Sequence, residues 1–597
     1  MIRASETAIG KIFDGSYQFL IPYFQRPYAW TTVETLQLLA DVKEAMESTF
    51  PGQETEYFLG STVLIKQEGS PEADVVDGQQ RLTTLTLLLA ALRDCHEDEQ
   101  YKIADGKCVL VPPNPAEGVM NETIRLRQHT EDHDFLNKQV QCPPEKRNSL
   151  RTPQTDAQRN IQDNYFSILS EIRKWSRKTR ERFSVYLRIH CKMVTVRVET
   201  QDAALRIFRV LNDRGMALSN ADIIKADLLN RVDAHQKEPL AAKWRDIETE
   251  IGRNELEELL AAFQFISDRE KLRQNLSDAY QRLFASSVGY FASPQDFVLN
   301  YLDRFATHFE FALLRSKSIN TLDGVPSKDG IIEALSRLKL LPNRDWLPLA
   351  LYALDELGNR PQVLAEIMDK IEKLAWRMQL ARMYDTQRRR RYAECIHSIE
   401  GYVQGERDIA FVDDLMSATD IEKISVWTTI NGDFYNHTSR GAVRAALVRL
   451  DWILSDQKVT SNKNPTVEHI LPQNPRNEEW TQFSEAERQF WTHRLGNLVL
   501  LSGSKNSSAS RNPFPQKKAQ YFGLDGASSP TRTTYAQMQE LAPHADWTLD
   551  LLKERHDRLA RRLAGSLGID HSPLRTASDD FVDHQISASL PTMVEAQ

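Results

Sequence analysis

Long hydrophobic runs, paired cysteines and a Walker-type phosphate-binding loop are all missing from this sequence. The longest apolar run, around residues 85–92, is far shorter than the roughly 20 residues that a membrane-spanning helix needs. Near the start, Glu6 and Lys11 stand where a secretory signal would have an apolar stretch. The five cysteines are odd in number and lack CxxC spacing, which argues against a disulfide framework and against a zinc site. These absences predict a cytoplasmic protein with reduced thiols and no membrane partner.

The length and charge indicate a soluble protein with several cores. A chain of 597 residues is too long for one hydrophobic core and predicts two to four domains. The formal net charge is −8, so binding to nucleic acid would require a local positive face. The densest candidate is the run of four arginines at 388–391. It has two interpretations, an ordinary solvated helix face or a DNA-binding surface.

Two short apolar strands and a helix are predicted near the C-terminus, at 467–470, at 495–501 and within 504–521. This order is typical of the ββα hairpin of HNH, or His-Me finger, nucleases. Because side chains alternate along a strand, Glu468 and His469 point to opposite faces. They could serve one site only if the strand bends or ends there, and the proline that follows supplies a reason for such a break.

The polar residues of this segment suit phosphodiester hydrolysis. His469 can take a proton from water near neutral pH, because the unperturbed pKa of histidine is about 6.5. A hard divalent cation such as Mg²⁺, or Mn²⁺, takes oxygen ligands, which Glu468 and Asn506 can supply. The metal would stabilise the leaving oxygen and the developing charge. In HNH nucleases the residue equivalent to Asn497 ties down the loop that carries the base.

A second pattern lies in the N-terminal part, where VVDGQQRLTT predicts a strand, a tight turn and a helix. Gly78 permits an unusual turn conformation, and the run 82–93 is rich in helix formers. A turn that leads into a helix presents free backbone N–H groups and the positive end of a dipole, which favours anions. Arg81 adds a bidentate donor for phosphate. The alternative is an ordinary strand–helix turn.

Two further runs belong to the same part of the chain. The aromatic residues of 23–30 predict either core packing, which we favour slightly, or a stacking surface that senses DNA modification. Residues 204–215 predict a helix, and Ser219 with Asp222 predicts a capping box for the next one. Asn212 and Arg214 lie in the connecting loop, where they could contact a ligand.

These runs together resemble one family. EHILPQN and LGNLVLL, with Asn506 and the NPF…K run, look like the nuclease domain of GmrSD-type proteins, and IPYFQRPYAW and VVDGQQRLTT look like their N-terminal domain. Those proteins are Type IV restriction enzymes, which cut DNA that carries modified bases or a modified backbone. Their N-terminal domain is similar to ParB and sulfiredoxin folds, in which the matching loop binds nucleotide or phosphate.

The resemblance implies a role for each candidate residue. His469 and Asn497 are implied to be catalytic, and Glu468 and Asn506 to bind the metal. The implied nucleotide loop consists of Asp77, Gly78, Gln79 and Arg81. The implied DNA or phosphate contacts are Gln25, Arg26, Tyr28, Asn212, Arg214 and Lys505.

The predicted architecture is a multidomain α+β protein. Residues 1–232 are expected to form a ParB/sulfiredoxin-like α/β domain that binds nucleotide and senses DNA. Residues 233–438 are expected to form an all-α bridging region, and 439–565 a ββα-metal HNH nuclease domain. The polar tail at 566–597 is expected to be disordered.

The predicted function is modification-dependent DNA cleavage in bacterial defence against phage. Binding or hydrolysis of an NTP, with GTP or UTP favoured, would regulate Mg²⁺-dependent cutting of double-stranded, modified phage DNA. A homo-oligomer is compatible with the sequence. Two alternatives stay open: an NTP-switched DNA-binding protein with a vestigial nuclease, and an HNH RNase or toxin, because no sequence feature distinguishes DNA from RNA.

Overall fold

The computed structural model describes residues 2–50, 53–111, 113, 121–128, 132–147, 151–200, 203–204, 207, 219–269, 275–285, 291–314, 322–455, 465–475, 479–501, 511–522, 535–570, 575–577 and 579–580. The chain divides into two compact units. The first is Met1–Glu257 with Gln274–Leu302, and the second is Glu258–Arg273 with Asp303–Gln597. The predicted division into four domains is finer than these two units, and it stays a prediction. Within the described ranges, no helix has the length and apolar character to cross a bilayer.

The first unit combines β-strands with helices. Its strands are β1 (Arg3–Ala8), β2 (Gln18–Ile21), β3 (Tyr57–Ile65), β4 (Glu72–Asp77), β5 (Leu110–Val111), β6 (Thr123–Ile124), β7 (Leu126–Gln128) and β8 (Cys191–Val198). Its α-helices are α1 (Ile9–Ile12), α2 (Thr32–Glu47), α3 (Gln79–Cys95), α4 (Glu99–Lys107), α5 (Asp132–Leu136), α6 (Asp156–Arg173), α7 (Arg177–Ile189), α8 (Asn220–Asn230), α9 (Ala234–Ile251), the start of α10 (Arg253–Asp268), α11 (Leu276–Ala285) and α12 (Pro294–Asp296). Short π- and 3₁₀-helical segments are Asn137–Gln141, Pro144–Lys146 and Phe297–Leu302.

Six of these strands form a mixed sheet in the order β1-β8-β3-β4-β2-β7. The pairs β8–β3, β4–β2 and β2–β7 are parallel, and the pairs β1–β8 and β3–β4 are antiparallel. β5 and β6 form a separate antiparallel pair. This mixed sheet with its helices confirms an α+β class, whereas the ParB/sulfiredoxin-like fold stays a prediction.

Helix α3 is the central helix of the first unit. It follows β4 after the single residue Gly78, and most of its residues are buried. Leu82, Leu85 and Leu89 are among its fully buried side chains in the main core. A helix that is apolar on nearly all sides has to lie inside a core. The helix predicted for 82–93 is therefore confirmed.

The capping box predicted before α8 is also confirmed. The Asp222 N–H donates to Ser219 Oγ at 3.2 Å, and the Ser219 N–H donates to the Asp222 carboxylate at 3.0 Å. These two bonds satisfy backbone donors that would otherwise have no partner at the helix start. The helix predicted at 204–215 lies almost wholly outside the described residues.

The second unit is mainly helical. Its α-helices are the end of α10, α13 (Asp303–Phe309), α14 (Ser327–Leu338), α15 (Leu347–Leu357), α16 (Pro361–Leu380), α17 (Asp385–Val403), α18 (Ile409–Met416), α19 (Asp420–Asn431), α20 (Phe434–His437), α21 (Arg440–Leu454), α22 (Glu485–Trp491), α23 (Phe514–Phe522), α24 (Ala536–Gln539) and α25 (Leu549–Ser566). It also contains β9 (Thr466–His469), β10 (Leu498–Leu501), the π-helical Glu310–Leu314 and the 3₁₀ turn Leu495–Asn497. Every regular element described between 219 and 455 is helical, as the sequence predicts for the middle region.

The arginine run lies on α17, and three of its four members are paired with carboxylates. Arg388 contacts Asp345 at 2.6 Å, and Arg389 contacts Asp385 at 2.9 Å. The next arginine bonds to a glutamate one turn further along the same helix. These pairs neutralise much of the local charge, so they favour the interpretation as an ordinary helix face.

Helix α25 packs closely against the turn that precedes β10. A Cβ added at Gly496 would lie 2.5 Å from the Cβ of His556, so only glycine fits there. The chain beyond α25 continues this packing, because Leu567, Ile569 and Ala577 are buried. From residue 581 onwards, the predicted tail lies outside the described residues.

Candidate functional site

The two strands predicted near the C-terminus pair with each other. β9 and β10 are antiparallel, and His469 lies opposite Leu498. β9 ends at His469, which is the strand end that the sequence required. The prediction of a strand from Leu495 is wrong for its first three residues, which form a 3₁₀ turn closed by a bond from the Asn497 N–H to the Arg494 carbonyl.

Asn497 ties this turn to the segment that follows His469. Its Nδ2 donates to the carbonyls of Leu471 at 2.9 Å and Thr492 at 2.8 Å, and its Oδ1 accepts from the Leu471 N–H at 2.7 Å. The side chain is fully buried. Three bonds in a buried place hold an amide in one orientation, which is the geometry that the predicted bracing role requires.

His469 is buried and both of its ring nitrogens have close neighbours. Nδ1 lies 3.1 Å from Gln473 Nε2, and Nε2 lies 3.3 Å from His493 Nδ1. The edge of the imidazole meets the Tyr435 ring, with centroids 4.4 Å apart. Burial, followed by the charges of His493, Lys517 and Arg440, lowers the pKa of His469 to about 3. The ring is therefore neutral at physiological pH, as a proton acceptor must be.

Glu468 precedes His469 on β9, lines the same pocket and is bound by two groups of α23. Lys517 Nζ contacts its carboxylate at 2.7 Å, and the Tyr521 hydroxyl donates to it at 3.2 Å. The same ammonium donates to the His469 carbonyl at 2.7 Å. Burial lowers the pKa of Lys517, and the Glu468 carboxylate acts against that shift. The carboxylate is thus already neutralised by a cation of the protein.

The residues described around His469 do not by themselves form a metal site. Across the described ranges, no group of three or more His, Cys, Asp or Glu side chains could hold a metal ion. The predicted ligand Asn506 and the predicted DNA contact Lys505 lie outside those ranges. Binding of Mg²⁺ or Mn²⁺ stays a prediction that requires Glu468 to be shared with, or released by, Lys517.

An open pocket of about 510 Å³ lies beside His469. Its lining includes Gln473 and two exposed arginines, Arg440 and Arg444, from the first turns of α21. Sequence reasoning missed these three residues and also missed His493. The only sequence signal was that the arginines are four residues apart, which places them on one helix face.

The predicted nucleotide loop is the junction between β4 and α3. Gly78 has a φ of +90°, and a Cβ there would lie 2.9 Å from Thr62 Oγ1. A residue with a side chain would therefore be both strained and crowded. Gly78 is the N-cap, and it has no side chain to cap the backbone N–H groups of Gln79 and the residues after it. The backbone N–H groups in the first turn of α3 can therefore donate to another acceptor.

Asp77 and Arg81 stand on either side of this glycine. Burial raises the pKa of Asp77 and lowers the pKa of Arg81, and the charge of each residue opposes the shift of the other. Arg81 Nη1 donates to the Ser61 carbonyl at 3.3 Å. Gly60 has a φ of +95°, and a Cβ built there would lie 2.9 Å from Arg81 Nη1. The loop thus has a partly buried carboxylate and a partly buried guanidinium.

The segment that contains Gln25, Arg26 and Tyr28 packs behind this loop. Gln25 Nε2 donates to two carbonyls of β4, at 3.1 and 2.8 Å, and Gln79 Nε2 donates to the Arg26 carbonyl. Tyr28 is in the core, where its hydroxyl bonds to Thr84 Oγ1 at 2.8 Å. The packing interpretation of the aromatic run is favoured for Tyr28, and its contact with DNA stays a prediction.

Arg26 is the most exposed of these predicted contacts. Its Nη2 lies 3.1 Å from Asp222 Oδ2, which Arg253 Nη2 also contacts at 2.5 Å. One carboxylate therefore serves two arginines next to the loop. The remaining predicted contacts, Asn212 and Arg214, lie outside the described residues.

Comparison with protein-family models gives two matches. Residues 9–229 match the N-terminal domain of the GmrSD restriction endonuclease, and residues 428–562 match the C-terminal domain of GmrSD restriction endonucleases. None of the curated proteins matches the chain. Two restriction-endonuclease domains in this order, which cover more than half of the chain together, define a restriction nuclease, a hydrolase that acts on DNA. The chain belongs to the GmrSD family of Type IV restriction endonucleases.

Proposed function

We propose that the protein is a modification-dependent DNA endonuclease of bacterial anti-phage defence, in which an NTP at the β4–α3 loop regulates hydrolysis at His469. One observation carries the proposal: a neutral, buried histidine borders an open pocket whose rim has two exposed arginines. A base and a phosphate-binding surface are the two elements that cleavage of a phosphodiester requires.

The pocket suits the DNA backbone. Arg440 and Arg444 present planar, permanently charged groups that bind phosphate oxygens in pairs. They lie at the start of α21, where the helix dipole adds a positive potential. The net charge of the protein is negative, so this local cationic rim is what would bring the scissile phosphate to His469.

In the proposed reaction His469 takes a proton from a water molecule that attacks the phosphorus. Its pKa of about 3 in the free protein is low for a base. A phosphate bound beside it would raise that pKa, because a nearby negative charge favours the protonated ring. Asn497 would hold the strand end that carries the histidine. The described donors do not complete a metal site. This scheme therefore contains no step that depends on Mg²⁺, and a requirement for Mg²⁺ is left to experiment.

The first unit would bind the nucleotide through backbone N–H groups. The uncapped first turn of α3 offers donors to phosphate oxygens, and Arg81 adds positive charge at the same place. Arg26, bound to Asp222 in this structure, would be a further contact. GTP or UTP is the proposed ligand, and cytoplasmic double-stranded phage DNA is the proposed substrate of the whole protein.

A cleavage assay tests this function. Full-length protein is incubated with plain, glucosylated, hydroxymethylated and phosphorothioated DNA, with and without Mg²⁺ and each NTP. His469→Ala is the test variant and His437→Ala the control, because His437 is exposed on α20. We expect cleavage of one modified substrate, lost by about 10³-fold or more in His469→Ala and kept in His437→Ala.

Other outcomes would change the assignment. Equal cutting of all DNA would contradict modification dependence, and an NTP-independent rate would contradict regulation by the loop. Cleavage of RNA in preference to DNA would favour the RNase alternative. Absence of any cleavage would contradict a nuclease and leave the DNA-binding protein.

A further inference from the structure

His493 contacts the imidazole of His469, and the proposed mechanism does not use it. The two histidine rings are almost perpendicular, with centroids 5.2 Å apart and the nitrogens in contact at 3.3 Å. Tyr435 stacks on His493 at an interplanar angle of 13°, and the Tyr435 N–H donates to the His493 carbonyl at 3.0 Å. Arg440 donates to the Tyr435 hydroxyl at 2.7 Å. His493 is therefore held in place from two sides.

The contacts of His469 determine where its single proton is. A neutral imidazole has one N–H and one bare nitrogen. Gln473 Nε2 is a donor, so Nδ1 of His469 is the bare nitrogen that accepts from it. The proton is then on Nε2, and within the described ranges Nε2 lies 3.3 Å from His493 Nδ1. The Nε2–H donates to that nitrogen, which must itself be bare.

The two nitrogens of His469 therefore face different surroundings. Nδ1 is on the side of Gln473, which is exposed and lines the pocket, whereas Nε2 is on the side of His493 and the Tyr435 ring. A base that acts on water in the pocket needs its lone pair on Nδ1. An acceptor that receives a hydrogen bond from one ring nitrogen of a histidine leaves the lone pair on the other nitrogen and fixes the orientation of the ring. Carboxylates and carbonyls do this beside catalytic and metal-bound imidazoles.

We propose that His493 is a positioning residue, which holds His469 in the Nε2-protonated form so that the Nδ1 lone pair faces the pocket. This inference rests on the proposed role of His469 as the base. In the hydrolysis, water takes the place of the exposed Gln473 amide at Nδ1. Its oxygen then forms a bond to phosphorus, its proton goes to Nδ1, and the bond from phosphorus to the leaving oxygen breaks. The leaving oxygen takes a proton from solvent. His493 accepts a hydrogen bond throughout and neither gains nor loses a proton.

The neighbourhood is consistent with this assignment. Burial lowers the pKa of His493 against the opposing charge of Asp433, so its ring is neutral and can leave Nδ1 bare.

Two variants of His493 test the proposal. His493→Leu removes the acceptor, and His493→Asn places an amide oxygen close to the former position of Nδ1. In single-turnover and steady-state cleavage by full-length protein, His493→Leu should lower kcat by about 10–100-fold and change KM for DNA little. His493→Asn should recover most of the lost rate. His437→Ala again serves as the control.

Equal loss in both variants would show a structural role, and a raised KM with unchanged kcat would show a DNA contact; either result would overturn the proposal. A second readout needs no cleavage. In full-length protein labelled with ¹⁵N-histidine, the His469 signals are found by their absence in His469→Ala. The proton should be on Nε2 in the native protein and distributed over both nitrogens in His493→Leu. A proton on Nδ1 in the native protein would contradict the proposal. Because this readout does not depend on cleavage, it separates failure of the proposal from failure of the nuclease function.

Discussion

The two candidate sites of this protein are built in opposite ways. The proposed nucleotide loop comes from five consecutive residues, Asp77 to Arg81, and its proposed donors are mainly backbone N–H groups. The candidate nuclease pocket collects side chains from separate segments, among them Tyr435, Arg440, His469 and Gln473. The comparison shows that a site made of backbone is specified by local sequence, whereas a site made of side chains exists only after the unit has folded.

The electrostatics of the two sites differ as well. In the loop, Asp77 and Arg81 are of opposite charge, and each opposes the effect of burial on the other. The pocket is lined by two arginines, the neutral His469 and one carboxylate, Glu468, which is already paired with Lys517. The loop is therefore balanced before any ligand binds, whereas the pocket has an excess of positive charge that a phosphate would satisfy.

The largest expected effect concerns the side chains of the loop. Asp77→Ala and Arg81→Ala should each weaken NTP binding by about 100-fold, which corresponds to about 2.7 kcal/mol. Arg81→Ala removes the positive charge beside the phosphates, and Asp77→Ala removes the carboxylate that accepts the Gly78 N–H and attracts Arg81. Calorimetric titration of full-length protein with GTP and UTP measures this. Arg127→Ala is the matched control, since Arg127 is exposed on β7. Unchanged affinity in both variants would place the nucleotide site elsewhere.

The next effect tests the packing on which the pocket depends. Gly496→Ala would place a methyl group 2.5 Å from His556 Cβ and should lower the free energy of unfolding of the second unit by about 2–3 kcal/mol. Gly565 is exposed on α25, and a Cβ built there meets nothing within 4 Å. Gly565→Ala should therefore raise the free energy of unfolding by up to about 1 kcal/mol. Thermal unfolding of both variants gives the comparison. Equal stability would mean that α25 can move away without loss.

Acid should destabilise the second unit through its buried histidines. Burial lowers the pKa of both His469 and His556 to about 3. His556 accepts the Gly496 N–H on Nδ1, and its Nε2 lies 3.2 Å from Asn431 Oδ1, so the neutral ring is fully satisfied. The unfolded chain binds a proton near pH 6.5, so this stability is complete above that pH and is lost as pH falls towards 3. For each histidine, the free energy of unfolding should fall by about 1.4 kcal/mol per pH unit below pH 6.5, which is a loss of about 2 kcal/mol at pH 5.

Denaturant titrations between pH 7.5 and 4.5 measure that slope. His556→Asn keeps an acceptor for the Gly496 N–H and removes one titrating group. Its stability should be lower at pH 7.5 and should fall less steeply as the solution is acidified. A slope identical to that of the native protein would show that other groups govern acid unfolding.

The smallest effect concerns the glycine of the loop. Gly78→Ala forces an alanine to a φ of +90° and against Thr62, whereas Gly69→Ala forces one to +80° in open space. Both should lose about 1 kcal/mol from the backbone conformation, and Gly78→Ala should lose about 1 kcal/mol more and distort the first turn of α3. Nucleotide titration should therefore separate the variants. Equal affinity would show that the loop geometry tolerates a side chain.

The extent to which sequence predicted each site follows from this difference. The strand–glycine–helix order of the loop, the central helix and the Ser219–Asp222 capping box are local patterns, and the structure confirms them. The paired strands and the buried Asn497 were also predictable, because the motif lies within about thirty residues. The bonds that Glu468 makes with Lys517 and Tyr521 were not, since they depend on how α23 packs on β9.

Sequence by itself determined the α+β class, the helical middle region and the residues that form the loop, because periodicity, caps and glycine positions act over a few neighbouring residues. The family comparisons then established a restriction nuclease. Only the tertiary structure decided that His493 and Tyr435 contact His469, that Arg440 and Arg444 border its pocket, and that Glu468 is paired with a lysine. Contacts between segments depend on packing that no local pattern encodes, and these contacts set the protonation and charge of the site.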